Sequence, residues 1–118
     1  MSRIVTNLKQ SRKLVSLGLD AKTADFFYES EDCLGLSAAW FLHIATNAEL
    51  DRHTPNLVLP AWSLNVLLGL ISVYTMQTDT VGMVFITCEK ASYITNSYNN
   101  PVDAAFEMVC WLLENKLI

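Results

Sequence analysis

LVLPAWSLNVLLGLI, residues Leu57 to Ile71, decides how this chain is read, because once Pro60 is set aside only Ser63, Asn65 and Gly69 interrupt its apolar residues. A membrane-spanning helix needs about 20 predominantly apolar residues, and runs of about 10 to 14 are more often core helices. Here the run is broken by Pro60 near its start and is followed by Ser72, Tyr74, Thr75, Gln77, Thr78 and Asp79. The stretch therefore predicts a core helix, with no membrane span. Its start can be placed: Ser63 is the natural N-cap, Trp62 precedes the cap, and Leu67 is the fourth helical residue, the pair that packs as a hydrophobic staple. Leu64, Leu67, Leu68 and Ile71 share one face, with Val66 and Leu70 beside it. Asn65, Gly69 and Ser72 form a narrow polar strip, so most of the circumference is predicted to be covered.

Upstream, TNLKQSRKLVSLG (Thr6 to Gly18) predicts a helix with Thr6 as the cap, Leu8, Leu14, Val15 and Leu17 as the apolar stripe, and Gly18 in the left-handed terminating position. Lys9, Arg12 and Lys13 then face water. Asp20 to Ala24 reads as a short helical turn and Phe26 to Glu29 as extended. Leu36 to Thr46 reads as a strand because of its aromatic and β-branched content, and NAELDRHTPN as a loop. Downstream, Val81 to Glu89 and Ser92 to Tyr98 predict an antiparallel hairpin. In its second strand strict alternation puts Tyr93, Thr95 and Ser97 on one face and Ile94, Asn96 and Tyr98 on the other.

The last element carries the clearest signals. In NNPVDAAFEMVCWLLENKLI, Asn100 caps, Pro101 takes the first helical position and Asp103 complements the helix dipole. Val102, Ala105, Phe106, Val109, Leu112 and Leu113 recur at helical spacing, opposite a strip of Asp103, Glu107, Cys110 and Glu114. The predicted fold is a single α+β domain: an antiparallel sheet of about four strands packed against the central and C-terminal helices, with the N-terminal helix flanking it.

Three segments together, QSRKLVSLGLDAKTADFFY, PAWSLNVLLGLI and NPVDAAFEMVCWLLENKLI, resemble short uncharacterised proteins carried in phage-derived and mobile regions of Bacteroides-type gut bacteria. In those proteins a PAWSL-type segment opens a leucine-rich helix and a DAxxEMxxWL helix follows. The likeness covers most of the chain except Ser30 to Leu57. It implies a small accessory protein of a mobile element and transfers no catalytic residue. The order of elements is also similar to that of small phage proteins with an α-β-α sandwich, a likeness of fold alone.

Composition bounds the function. The chain has 118 residues, 52% of them hydrophobic and 17% charged, enough to bury a core without metal or disulfides and with apolar surface left over. Self-association, as a homodimer, is the expectation. A net charge of −4 argues against a protein that binds nucleic acid by neutralising many phosphates. The basic segment Arg3 to Lys13 is the only place from which a weak nucleic-acid contact would start. Three widely spaced cysteines, Cys33, Cys88 and Cys110, suit free thiols in a reducing compartment, and MSRIVTNLKQ lacks the apolar core of a signal peptide. A cytoplasmic location is the expectation.

Chemistry-bearing patterns are sparse. His43 and His53 with Cys33 match no tetrahedral metal-site spacing. Cys88 and Cys110 lie in apolar contexts and read as core residues. Asp51, His53 and Ser63 lack a nucleophile-elbow context, and Ser63 is already a cap. No phosphate-binding or dinucleotide motif occurs, so no cofactor is predicted. The leading expectation is a non-catalytic interaction or accessory module. Its alternative is a small ligand-binding protein or enzyme with an unrecognised pocket. For a pocket or interface the residues to inspect are His43, Glu29 and Tyr93, together with Trp62 and Trp111 as helix-to-sheet anchors.

Overall fold

Residues 4–30, 40–44 and 58–118 are described by the structure, a computed structural model. The architecture is α+β. Helix α1 (Leu8–Ser16) leads through a 3-10 turn (Ala21–Thr23) into strands β1 (Phe26–Ser30), β2 (Trp40–Ile44) and β3 (Val58–Ala61). Helix α2 (Leu64–Ile71), strands β4 (Thr75–Thr78), β5 (Val84–Cys88) and β6 (Tyr93–Ile94), and helix α3 (Pro101–Glu114) complete the chain. The expected sheet of about four strands is instead two antiparallel three-stranded sheets, ordered β2-β1-β3 and β4-β5-β6. Two strands absent from the sequence reading account for the difference. Val58–Ala61, the start of the apolar run, pairs with β1, and Thr75–Thr78 pairs with β5.

Pro60 therefore belongs to a strand. It sits on β3 at the edge of its sheet, where a missing N–H is tolerated. The chain then turns directly into α2, capped by Ser63 as its sequence predicts: the Ser63 hydroxyl accepts from the Val66 N–H at 3.3 Å. Trp62 and Leu67, the predicted staple pair, are both fully buried in the main core. Asn65 and Gly69 face solvent.

Asn7, and not Thr6, caps α1. Its side chain accepts from the Gln10 N–H at 2.7 Å while the Gln10 side chain accepts from the Asn7 N–H at 3.0 Å, a reciprocal capping box. Thr6 is released for another task. Its backbone N–H donates to the Trp62 carbonyl at 2.9 Å, and its hydroxyl oxygen accepts from the Trp62 N–H at 3.1 Å and lies 2.8 Å from the Ser11 hydroxyl. With the Leu64 N–H donating to the Ile4 carbonyl at 3.1 Å and the Val5–Ser63 bridge, residues 4–6 run antiparallel to residues 62–64. Val15, expected in the apolar stripe, is exposed, whereas Leu14 is fully buried. Gly18 ends the element with φ +92, a conformation that costs a residue with a Cβ.

The core lies between α2, α3 and the inner face of β5. Leu67, Ile71, Ile86, Cys88, Val102, Ala105, Met108, Val109 and Leu112 are buried there beside Trp62 and Leu14. Helix α3 starts as predicted, with the Asn100 side chain accepting from the Val102 N–H at 2.9 Å and Pro101 in its first turn. Its opposing strip is not a solvent face, however, because Cys110 is buried and Glu107 is held by the second sheet. The predicted loop Asn47 to Asn56 and the flanks of β2 lie outside the described residues.

Thr6→Val tests the junction. It keeps the shape but removes the acceptor for a buried N–H and the partner of Ser11, and should lower unfolding free energy by about 1–3 kcal/mol in chemical denaturation. Leu67→Ala should cost about 2–5 kcal/mol in the same assay.

Candidate functional site

The densest convergence of polar side chains among the described residues is built around Glu107. This residue stands one turn and a half into α3, and its carboxylate turns toward the hairpin of the second sheet. Oε2 accepts from the Tyr93 hydroxyl at 2.6 Å, and Oε1 accepts from the Tyr98 hydroxyl at 2.6 Å and from the Asn96 N–H at 3.1 Å. Trp111, one helical turn further on, stacks on Tyr93 with ring centroids 4.5 Å apart and planes inclined by 18°.

Alternation along Ser92 to Tyr98 predicts Tyr93 and Tyr98 on opposite faces, yet both reach the same carboxylate. The pairing explains this. From Thr87 to Val84 is three steps along β5, but the partners of those residues, Ile94 and Tyr98, are four steps apart. One extra residue is therefore accommodated between them, a β-bulge that moves everything beyond it to the other face. Thr95 supports the irregularity: its N–H donates to the Ile86 carbonyl at 3.0 Å, and its hydroxyl oxygen accepts from the Ile86 N–H at 2.9 Å in place of a backbone carbonyl. Tyr98 thus pairs with Val84 on the core side, as Tyr93 pairs with Cys88.

The electrostatics favour a clamp over acid–base chemistry. The hydrogen bond to Glu107, with burial second, pushes the Tyr93 hydroxyl up to about 12. Burial, and then the bond to Glu107, raises Tyr98 as well. Each phenol donates to a negative neighbour, which opposes its own ionisation. Both oxygens of Glu107 are engaged by donors of the same chain. Cys110 is pushed up to about 12, chiefly by burial, with Lys13 opposing the shift, so it is a packed thiol and not a nucleophile at neutral pH.

The other residues singled out in the sequence fall elsewhere. Glu29 lies on β1 and His43 on β2, where the register sets Glu29 opposite Phe41 and His43 opposite Phe27. Both belong to the first sheet and Tyr93 to the second, so the three are not brought into one sheet. Trp62 is fully buried at the junction of β3 and α2, its indole N–H donating to the Thr23 hydroxyl at 2.8 Å. Trp111 joins α3 to β6 through Tyr93. Ser63 receives no nucleophile's environment: its N–H donates to Asp25 at 2.9 Å and its hydroxyl caps α2. Arg3, Cys33, Asp51 and His53 lie outside the described residues. Among the described residues no three His, Cys, Asp or Glu side chains form a group able to hold a metal ion, and no helix is long and apolar enough to cross a membrane.

Two hollows border the second sheet. An open groove of about 440 Å³ is lined by Thr87, Cys88, Glu89, Ser92, Tyr93 and Ile94. A smaller cavity of about 120 Å³ lies among Ile71, Cys88, Ala91, Leu112 and Leu117, with Ser72 and Lys90 as its polar lining. No family model, curated protein or solved structure matches the chain.

Some of the apolar side chains left in water border the same sheet, while Ile4, Leu42, Ile44 and Leu117 are exposed elsewhere. Val73, Tyr74 and Met76 flank or belong to β4, Val81 lies in the turn to β5, and Ile94 is on β6. Val81 and Ile94 are 77% and 65% exposed. All four residues of β4 are exposed.

The clamp has a pH signature. A raised tyrosine pKa means that the stabilisation is complete below about 10 and is lost as pH rises through about 12, where the folded state gives up its protons. Phenolate absorbance should show Tyr93 and Tyr98 titrating late, and Glu107→Gln should bring them back toward ordinary values. Glu107→Ala should lower stability by about 2–3 kcal/mol, since it removes the charged acceptor of several bonds.

Proposed function

We propose that this protein is a non-catalytic interaction module that associates with itself, encoded by a mobile element as the resemblance of its PAWSL and DAxxEMxxWL segments implies. The observation that carries the reading is the distribution of apolar side chains: Val73, Tyr74, Met76, Val81 and Ile94 stand in water around one sheet of a small domain. Large apolar side chains left wet are costly, and on a small domain a second subunit is what relieves the surplus. The polar constellation that would compete for a functional role, Glu107 with Tyr93 and Tyr98, is spent on tying the hairpin to α3.

Nucleic acid is a poorer partner. The net charge is −4, and in the basic segment Lys13 already lies 3.9 Å from Glu114. A cytoplasmic setting accords with this reading, since Cys88 and Cys110 are free thiols.

Multi-angle light scattering over a concentration series should give a mass rising above the 13.2 kDa of one chain. Because the contact is apolar, the rise should persist at high salt. A mass that stays at that of one chain up to millimolar concentration overturns the self-association.

A further inference from the structure

We propose that the contact between copies is made by the edge of β4 that no strand among the described residues pairs with, and that it pairs antiparallel with β4 of a second copy. This deepens the reading of the protein as a self-associating module and rests on it.

The hydrogen-bond phase of the sheet shows which groups are available. Val84 and Tyr98 exchange both backbone bonds, at 2.7 and 2.8 Å, and the Ile86 carbonyl accepts from the Thr95 N–H at 3.0 Å. The backbone groups of Val84 and Ile86 therefore point toward β6. Those of the alternate residues point the other way, toward β4, as the Met83 carbonyl does when it accepts from the Asp79 N–H at 2.8 Å. Phe85 and Thr87 face Gln77 and Thr75, so the ladder uses the backbone of those two residues. The N–H and C=O groups of Met76 and Thr78 point outward from the sheet edge.

Edges of this kind are ordinarily guarded by charge, proline, bulges or shortness. The edges of β3 and β6 are guarded in these ways, and β2, the other edge of the first sheet, is flanked on both sides by residues outside the described ones. Pro60 stands on β3, and residues 4–6 continue the pairing alongside residues 62–64. On the far side, β6 has two residues before the bulge, and Glu107 takes the Asn96 N–H. β4, at four residues, is short but has no charge, proline or bulge. From Val73 to Thr78 the chain reads VYTMQT, with no charge and no proline.

The same neutrality selects the occupant. A strand paired antiparallel with its own copy meets itself across a two-fold axis, so any charge near the axis would face its like. VYTMQT has none. With Met76 and Thr78 as the outward residues, the axis passes between the two copies of Gln77: Met76 of each copy bonds to Thr78 of the other, and the Gln77 side chains lie opposite in the closer, non-hydrogen-bonded position. The pairing joins two three-stranded sheets into one and covers Val73, Tyr74 and Met76. So short a strand makes a small interface, of the size class that weak, transient contacts occupy.

The test uses the full chain. Gln77→Cys should form a disulfide-linked dimer under mild oxidation, because non-hydrogen-bonded partners bring Cβ atoms within bridging distance; the unmodified chain and a Thr80→Cys variant, in the exposed turn, should give less than one-tenth of that yield. Met76→Pro removes an outward N–H and leaves the β4–β5 ladder whole, so it should raise the dimer dissociation constant at least tenfold, while Met76→Ala, which keeps the N–H, should raise it by less than threefold. If Met76→Pro disturbs folding by circular dichroism, amide exchange of the unmodified chain decides instead: protection of Met76 and Thr78 should rise with protein concentration. Dimers that survive Met76→Pro, or exchange at those amides that ignores concentration while the mass doubles, overturn the edge pairing and leave self-association standing. A chain that never exceeds the mass of one copy overturns both.

Discussion

The buried contact of Thr6 with Trp62 is the constraint on which the rest of the structure depends. At Trp62 the chain leaves a strand and enters a helix within two residues, and both termini of that change expose backbone groups that the core cannot leave unpaired. Thr6 supplies a donor and an acceptor to Trp62, its own carbonyl accepts from the Tyr28 hydroxyl at 2.7 Å, and Asp25 accepts from the Ser63 N–H. Three segments distant in sequence are thereby fixed to one point. The first sheet, α1 and α2 take their relative positions from it, and Trp62 itself is fully buried in the core.

Glu107 plays the corresponding role at the other end. The second sheet is connected to the core through β5 and α3, and its last strand is too short to be held by ladder bonds alone. A carboxylate that accepts from two phenols and one backbone N–H replaces that ladder. The bulge before Tyr98 is what makes this geometry available, since without it Tyr98 would point to solvent. The same feature that shortens β6 as a strand thus gives α3 its grip on the sheet.

Those two anchors were unequally legible in the sequence. The caps at Ser63 and Asn100, Pro101 in the first turn of α3 and the burial of Trp62 and Leu67 follow from local patterns, and local patterns are what helix starts are made of. Thr6 misleads because its chemistry suits a cap, and only the position of residue 62 shows that it is needed elsewhere. Glu107 misleads for a related reason: among Asp103, Cys110 and Glu114 it reads as part of a solvated strip, while its partners Tyr93 and Tyr98 lie on a strand whose alternation the bulge breaks. Pairings of this sort depend on tertiary placement, which periodicity does not encode. Strand β3 was hidden inside an apolar run that α2 explained too well.

Strand β4 was hidden by the opposite effect. TMQT carries no alternation because all four residues are exposed, so nothing in its hydrophobic pattern distinguishes it from a loop. It is a strand because β5 offers it a ladder, and because the turn at Ser72, with φ +66 and the Val73 N–H donating to the Ile71 carbonyl, sends the chain sharply away from α2. The apolar surplus evident in the composition therefore does not reside where the sequence concentrates it. LVLPAWSLNVLLGLI is largely consumed by the junction and the core. Part of the surplus emerges beside a polar-looking strand, through Val73, Tyr74, Met76 and Val81, where wet apolar side chains coincide with a backbone edge that no described strand pairs with. Either feature alone is common on a small domain, but together they offer a second strand both hydrogen bonds and a dry flank, the two contributions that strand addition requires.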